Sequence, residues 1–321
     1  MAVVVTVPLV VAVVGPTATG KSDLGLALAQ ALGGEVVNAD AMQLYRGMDV
    51  GTAKLTVAER RGVPHHQLDV LDVAQDATVA AYQRDARADL AAIAARGRRA
   101  VVVGGSGLYV RALLDRLEMP PTDPEVRARL EERAAREGPG LLHDALAAVD
   151  PAAAARIDRA NTRRIVRALE VIEITGRQYS ATLPDHATYE VPALQIGLDL
   201  ARGALDARIE HRVDRMWAGG LVAEAAGLAP RMGRTAARAV GYAQVLAMLA
   251  GETGEAEARL GTVVATRRLA RRQMTWFGRD PRVHWLPADA PDLAERALGL
   301  VAAADAGTLP EPDGGRRTLG A

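Results

Sequence analysis

An α/β fold is predicted, with a parallel-sheet core carried by residues 1–117 and 186–305, an all-helical insertion over 118–185 and a disordered tail over 306–321. Three observations predict it. The apolar run Leu9-Val10-Val11-Ala12-Val13-Val14 enters Gly15-Pro16-Thr17-Ala18-Thr19-Gly20-Lys21-Ser22, which matches the phosphate-loop pattern G-x-x-x-x-G-K-[ST] at every letter and feeds a helix-like stretch. Short apolar runs then alternate with helical patterns, the rhythm of parallel strands joined by crossovers. Finally, Pro120-Pro121, Asp123-Pro124 and Asp150-Pro151 punctuate a stretch that has helical periodicity and no strand signal.

Each element follows in order. A strand near 9–14 leads through the loop to a helix near 21–32, and Glu35-Val36-Val37-Asn38 is a short strand ending at Asp40. A helical pattern near 77–96 feeds the strand Ala100-Val101-Val102-Val103, which stops at Gly104-Gly105-Ser106-Gly107. In the middle block, Asp123 and Asp150 cap helices that carry proline at the first position, and Asn161-Thr162 opens a third helix running to Gly176. Leu183-Pro184-Asp185 ends the block, and Ala193 to Leu200 returns to the sheet. The chain is then helical to about 277, with Val283-His284-Trp285-Leu286 as a last short strand. Gly307 to Ala321 is rich in glycine, proline and charge and reads as disordered.

Bulk properties exclude several classes. With 321 residues and 49% apolar content, the chain can bury a sizeable core. Formal net charge is zero, so any nucleic-acid partner must be met by local patches. The absence of cysteine excludes disulfides, thiolate metal sites and a cysteine nucleophile, and fits a reducing, cytoplasmic setting. Val3 to Val14 is too short to span a bilayer and contains Pro8, so it reads as a first buried strand, without signal peptide or membrane segment. Lysine occurs only at Lys21 and Lys54; every other basic residue is arginine. An arginine-biased chain that keeps two lysines points to a need for a compact ammonium at both places.

Open α/β sheets gather ligands at the carboxyl ends of their strands, which turns Gly15, Asp40 and Ser106 toward one crevice. Loop amides and the helix N-terminus hold anionic oxygens, Lys21 adds a point charge, and the Ser22 hydroxyl is placed to ligate Mg²⁺. An ordinary nucleotide hydrolase also ends an apolar strand in an acid that holds the metal through water. The 100–103 strand ends in glycines instead, and Asp40 is read as the one acid squarely at a strand end. Asp40 has two readings, a turn-capping residue or a carboxylate that takes a proton or holds a metal. Gly51-Thr52-Ala53-Lys54 is either an anion-binding run or a surface loop. Arg208 and Arg212 share a helix face and, on their own, read as surface arginines paired with Glu210 or Asp214. His65-His66 reads as a polar loop with no third metal ligand nearby.

The chain resembles the bacterial tRNA dimethylallyltransferases, over about residues 8 to 290. The resemblance is carried by the phosphate loop, Asn38-Ala39-Asp40-Ala41-Met42-Gln43-Leu44-Tyr45, Gly47 to Lys54, and Val103-Gly104-Gly105-Ser106-Gly107-Leu108-Tyr109. Further matches are Asp123-Pro124-Glu125-Val126-Arg127, the stretch from Arg163 to Val171, Val240-Gly241-Tyr242 and Arg271-Arg272-Gln273-Met274-Thr275-Trp276-Phe277. It implies a P-loop NTPase-like core and a magnesium-dependent prenyl transfer. The dimethylallyl group passes from dimethylallyl diphosphate to N6 of the adenine 3′ to the tRNA anticodon, and diphosphate leaves. It also implies that residues 15–22 (Gly15, Pro16, Thr17, Ala18, Thr19, Gly20, Lys21 and Ser22) and Arg208 hold diphosphate. Asp40 is then the general base and Ser106, where the family usually has threonine, contacts substrate. Implied tRNA contacts are Asp40, Ala41, Met42, Gln43, Ser106, Arg127, Arg163, Arg164, Ile165, Val166, Arg167, Arg271 and Arg272.

Such a reaction requires the target base to leave the anticodon stack, which calls for backbone neutralisation and replacement stacking. Arginines 163, 164 and 167 offer one basic face; Arg267, Arg268, Arg271 and Arg272, running into Trp276-Phe277, offer another. A monomer acting on tRNA without an obligate protein partner is expected. Two other classes stay open at this point: a small-molecule kinase using ATP at the same loop, and a non-enzymatic RNA-binding regulator.

Overall fold

The computed structural model describes residues 8–117, 119–182, 189–312 and 317–318. The chain forms two compact units, one of Met1–Asp115 with Tyr189–Ala321 and one of Arg116–Thr188.

The first unit is built on a parallel sheet. Its strands are β1 (Val10–Val14), β2 (Glu35–Asn38), β3 (His65–His66), β4 (Ala100–Val103), β5 (Ala193–Asp199) and β6 (Val283–Pro287), in the order β3-β2-β4-β1-β5-β6. Every pairing is parallel, with Val11 opposite Val101 and Leu194, and Val36 opposite Val101 and His65. The strands are continuous apolar runs because both faces of the sheet are covered. Alternate residues go to opposite faces: Val10, Ala12 and Val14 enter one core with Val102, and Val11 and Val13 enter the other with Val101 and Ile196.

Helices α1 (Lys21–Ala31), α2 (Val79–Ala95) and α3 (Gly107–Leu114) follow β1, β3 and β4. Thr78 caps α2 by accepting from the Ala81 N–H. Leu24 and Leu28 of α1 pack on one face of the sheet; Tyr82, Ala86 and Ile93 of α2 and Leu113 of α3 pack on the other.

The second unit, helical in its described residues, contains α4 (Pro124–Val149), α5 (Pro151–Ala154) and α6 (Thr162–Thr175). Asp123, Asp150 and Asn161 cap these helices with side-chain oxygens, as their spacing predicts. The long α4 breaks at Gly138 (φ 80°, ψ 161°), next to Pro139. Leu130, Leu142, Leu146, Ile165 and Val166 form this unit's own core. Leu183-Pro184-Asp185, where the sequence ends the block, lies outside the described residues.

After β5 the first unit continues through α7 (Arg202–Ala218), α8 (Leu221–Leu228), α9 (Arg234–Ala237), α10 (Tyr242–Leu249) and α11 (Glu255–Phe277) to β6 and α12 (Leu293–Asp305). Helices α8 to α10 pack Leu221, Ala236, Tyr242 and Val245 against Tyr45 and Met48. Among the described residues no helix is long and apolar enough to cross a membrane.

Three expectations need correction. His65-His66 is the sheet's edge strand rather than a polar loop; His66 Nε2 lies 2.6 Å from the buried Glu35 carboxylate, which Arg96 also holds, and His65 Nδ1 lies 2.8 Å from Val63 O. Asp40 is not alone at a strand end, because β5 closes on Asp199, whose Oδ1 accepts the Leu200 N–H and whose carboxyl is raised by burial. Residues 306–321 are not uniformly disordered: the Arg317 N–H donates to Gly278 O at 3.1 Å and its guanidinium lies 3.7 Å from Asp199. Residues 313–316 and 319–321 lie outside the described residues, as does Val3–Val7 of the N-terminal run.

Candidate active site

The carboxyl ends of β1, β2 and β4 open into a cleft of about 780 Å³ within the first unit. Its walls include the phosphate loop, Asn38 at the end of β2 with Asp40 and Gln43 beyond it, Gly104 and Gly105 after β4, and Arg208, His211, Arg212 and Arg215 of α7.

The phosphate loop turns where glycine is required. Gly15 has φ +129°, and a Cβ there would sit 2.7 Å from Leu198 O. The backbone N–H groups of residues 18–22 have no hydrogen-bond partner among the described residues, and Ala18, Gly20, Lys21 and Ser22 line the cleft. Thr19 Oγ1 donates to Pro16 O at 2.9 Å, and Lys21 Nζ donates to the same carbonyl at 2.5 Å. Withdrawal from water lowers the Lys21 ammonium to about 7; Asp40 opposes that shift, and Arg212 adds to it. Ser22 Oγ borders the cleft without a hydrogen-bond partner among the described residues.

Asp40 both caps a turn and lines the cleft. Its Oδ1 accepts the Met42 N–H at 2.9 Å, a turn-capping bond, while the residue lines the cleft within electrostatic reach of Lys21 and Arg212. Asn38, which sequence reasoning left without a role, holds it in place. Asn38 Oδ1 accepts the Asp40 N–H at 2.9 Å, and Nδ2 donates to Asp40 O and Gln67 O. Ser106 Oγ accepts the Ala41 N–H at 3.1 Å, which steadies the same turn from the β4 side. Gln43 reaches the Thr52 carbonyl at 3.1 Å.

On α7 the acids expected to neutralise the arginines are engaged elsewhere: Glu210 pairs with Arg267, and Asp214 pairs with Arg259 at 2.6 Å. Arg208 therefore lines the cleft with no ion pair among the described residues. Arg212 donates to Thr52 O at 3.1 Å, and burial lowers its guanidinium below the ordinary arginine range. Lys21, Arg208, Arg212 and Arg215 converge on one opening, the distribution that attracts a polyanion.

Lys54 is not an anion ligand. Its ammonium is buried, with its three donors on Tyr45 O, Asp49 Oδ1 and Asp69 Oδ1 at 2.8, 2.7 and 2.6 Å. A compact tetrahedral donor is what this position needs, and a planar guanidinium would not fit the same three acceptors. Because both carboxylates are partly exposed, Lys54→Met is expected to cost about 1–3 kcal/mol, below the value for a fully buried pair. Urea unfolding checks this; unchanged stability with lost anion affinity would restore the anion reading.

Several expected RNA contacts are redirected. Ile165 and Val166 are 0% and 3% exposed in the helical unit's core, so their side chains cannot meet RNA. Arg127 and Arg167 both bond the fully buried Glu170, at 2.6 and 2.9 Å, while Arg163 and Arg164 are exposed. In α11, Arg267 is paired with Asp206 and Glu210, contrary to a cluster with few acids nearby. Arg268, Arg271 and Arg272 are exposed without an ion pair among the described residues. Phe277 is core, 2% exposed, whereas Trp276 is 36% exposed and its indole lies against Gly107.

Two further residues escaped sequence reasoning. Gln273 Oε1 accepts the Thr17 N–H at 2.8 Å, which ties α11 to the phosphate loop. The Glu224 carboxylate accepts the N–H groups of Asp49, Val50 and Gly51 and the Tyr242 hydroxyl, and so shapes the loop whose Thr52 carbonyl anchors Gln43 and Arg212. The motif containing Gln273 was visible in the sequence; its partner, 256 residues away, was not.

Sheet order, loop and cleft together define a P-loop-type α/β protein whose cleft opens at the carboxyl ends of its strands. The family model for IPP transferase matches residues 43–280, and the chain belongs to that family. Among similar proteins, the tRNA dimethylallyltransferase of Streptomyces avermitilis is 64% identical over 90% of this chain and 93% of its own. That of Thermobifida fusca is 62% identical over 91% and 94%. The crystal structure of the tRNA isopentenylpyrophosphate transferase from Bacillus halodurans superposes with a TM-score of 0.69 at 38% identity, covering 94% of this chain and 96% of that one. A eukaryotic dimethylallyltransferase structure shares the fold with a TM-score of 0.83 at 23% identity.

Proposed function

We propose that the protein transfers a dimethylallyl group from dimethylallyl diphosphate to N6 of the adenine 3′ to the tRNA anticodon. The observation that carries this reading is the pairing, across one cleft, of an open amide nest beside Lys21 with the held carboxylate of Asp40, in a chain of the IPP transferase family.

Each group answers a demand of the reaction. As the allylic C–O bond lengthens, carbon becomes cationic and negative charge gathers on the departing diphosphate. The amides of residues 18–22, Lys21 and Arg208 are suited to stabilise that charge where it develops. Adenine N6 is a poor nucleophile because its lone pair is delocalised into the ring. Asp40 would take the N6 proton as the N–C bond forms, and diphosphate would leave with the electrons of the broken C–O bond. Arg212 shares the opening and adds a further positive charge there.

A divalent cation fits the loop's chemistry. The free Ser22 hydroxyl is a hard oxygen donor on a cleft that Asp23 and Asp40 also line, and no group of three or more His, Cys, Asp or Glu side chains converges among the described residues. Mg²⁺, which takes few protein ligands along with phosphate oxygens and water, matches that donor set. When bound it would supply charge neutralisation on the leaving diphosphate.

For the tRNA, the anticodon stem-loop as substrate and a monomeric enzyme remain parts of the proposal. Arg163 and Arg164 on the helical unit and Arg268, Arg271 and Arg272 on α11 are exposed guanidinium groups suited to backbone phosphates. Nucleoside mass spectrometry of an unmodified anticodon stem-loop, incubated with the protein, Mg²⁺ and dimethylallyl diphosphate, tests the reading. Prenylated adenosine without ATP is expected; transfer of labelled γ-phosphate from ATP with no prenylated product would overturn it.

A further inference from the structure

We propose that Gln273 sets the length of phosphate chain the loop accepts, closing one amide donor so that the nest suits a diphosphate and disfavours a triphosphate. This inference rests on the diphosphate reading of the loop and names a determinant of its specificity.

The loop offers a series of backbone donors from Thr17 to Ser22. Five of them, at residues 18–22, have no partner among the described residues, whereas Thr17 N–H is bonded to Gln273 Oε1 at 2.8 Å. The bond is held firmly. Gln273 is 8% exposed, and a Cβ added at Gly105 would stand 2.2 Å from its Nε2, so the amide is wedged between the phosphate loop and the β4 loop. A side-chain amide oxygen at this place takes up the donor of Thr17, a residue that lines the cleft. A third phosphate brings further negative charge and needs further donors, and the Thr17 N–H, held by Gln273, is not left to it. The β4 strand ends in Gly104-Gly105, with no carboxylate there to recruit metal for a terminal phosphate.

Calorimetric binding of inorganic diphosphate and inorganic tripolyphosphate, with Mg²⁺, to the wild-type protein, Gln273→Ala and Gln273→Met tests this. Gln273→Met keeps side-chain volume if the alanine variant packs poorly, and circular dichroism checks both folds. The wild type is expected to prefer diphosphate. Removing the acceptor is expected to shift the ratio of affinities toward tripolyphosphate by about tenfold, the worth of one charge-assisted hydrogen bond, with diphosphate affinity changed by less than about threefold. An unchanged ratio, or equal weakening of both ligands, would overturn the role and leave Gln273 a packing residue. A wild-type protein that bound neither probe would remove the diphosphate site itself, and this inference with it.

Discussion

Asp40→Asn is expected to slow prenyl transfer by about 10²–10⁴-fold, the usual contribution of a positioned general base, with diphosphate and RNA affinity within a few-fold of wild type. Asparagine is the informative choice because Asp40 has two tasks. Its Oδ1 accepts the Met42 N–H and shapes the turn that also carries Ala41 and Gln43. An asparagine carbonyl keeps that bond, and Asn38 and Ser106 continue to hold the turn through the Asp40 and Ala41 amides. What it loses is the negative charge facing Lys21 and Arg212 and the ability to accept a proton from N6. Alanine would remove both tasks and leave them inseparable. Single-turnover prenylation of a stem-loop RNA, beside direct binding of each substrate, separates chemistry from positioning. Near-normal turnover in the asparagine variant would leave Asp40 as a turn residue alone.

Local chemistry was legible in the sequence wherever one segment carries its own signal. The phosphate loop is defined by spacing, the strands at 10–14 and 100–103 by unbroken apolar runs, and the caps at Asp123, Asp150 and Asn161 by side chains that reach amides two or three residues on. What the sequence hid is set by partners far along the chain. Lys54 looks like a free cation until Asp49 and Asp69 are seen to enclose it. Arg267 looks like part of a basic stripe until α7 brings Asp206 and Glu210 to it, which is also what leaves Arg208 free to face the cleft. Ile165 and Val166 sit inside a basic motif but occupy the apolar face of α6, so a motif-wide assignment overstated their part. The edge strand at His65-His66 lacks any β-pattern of its own; pairing with β2 and the buried Glu35 makes it a strand.

Lys21→Met is expected to lower kcat/KM for dimethylallyl diphosphate by about 10²–10³-fold, as for removal of one preorganised donor to a developing anion, while RNA affinity stays near wild type. Methionine keeps the apolar stem and deletes only the charge and its bond to Pro16 O. The lysine also carries a pH signature that a structural residue would lack. In the free protein its ammonium is lowered from 10.5 to about 7, chiefly by withdrawal from water. A bound diphosphate supplies counter-charge and raises it again, so the complex holds a proton that the free protein has begun to lose above pH 7. Affinity through this group is therefore fully present below pH 7 and declines as pH rises from there toward the bound-state pKa. At pH 8, where the diphosphate itself is already ionised, binding should take up a proton. Calorimetry in two buffers of different ionisation enthalpy reads that uptake directly, and it should vanish in Lys21→Met. For folding the sign is reversed: the unfolded chain holds more protons between about pH 7 and 10.5, so this residue's destabilising effect is complete below pH 7 and fades as pH rises through that window. The variant should thus be more stable than wild type at pH 6 and converge with it in alkali, a gain in stability bought with the loss of catalysis. Equal stability at both pH values, or proton uptake that persists in the variant, would move the anion-binding charge away from Lys21.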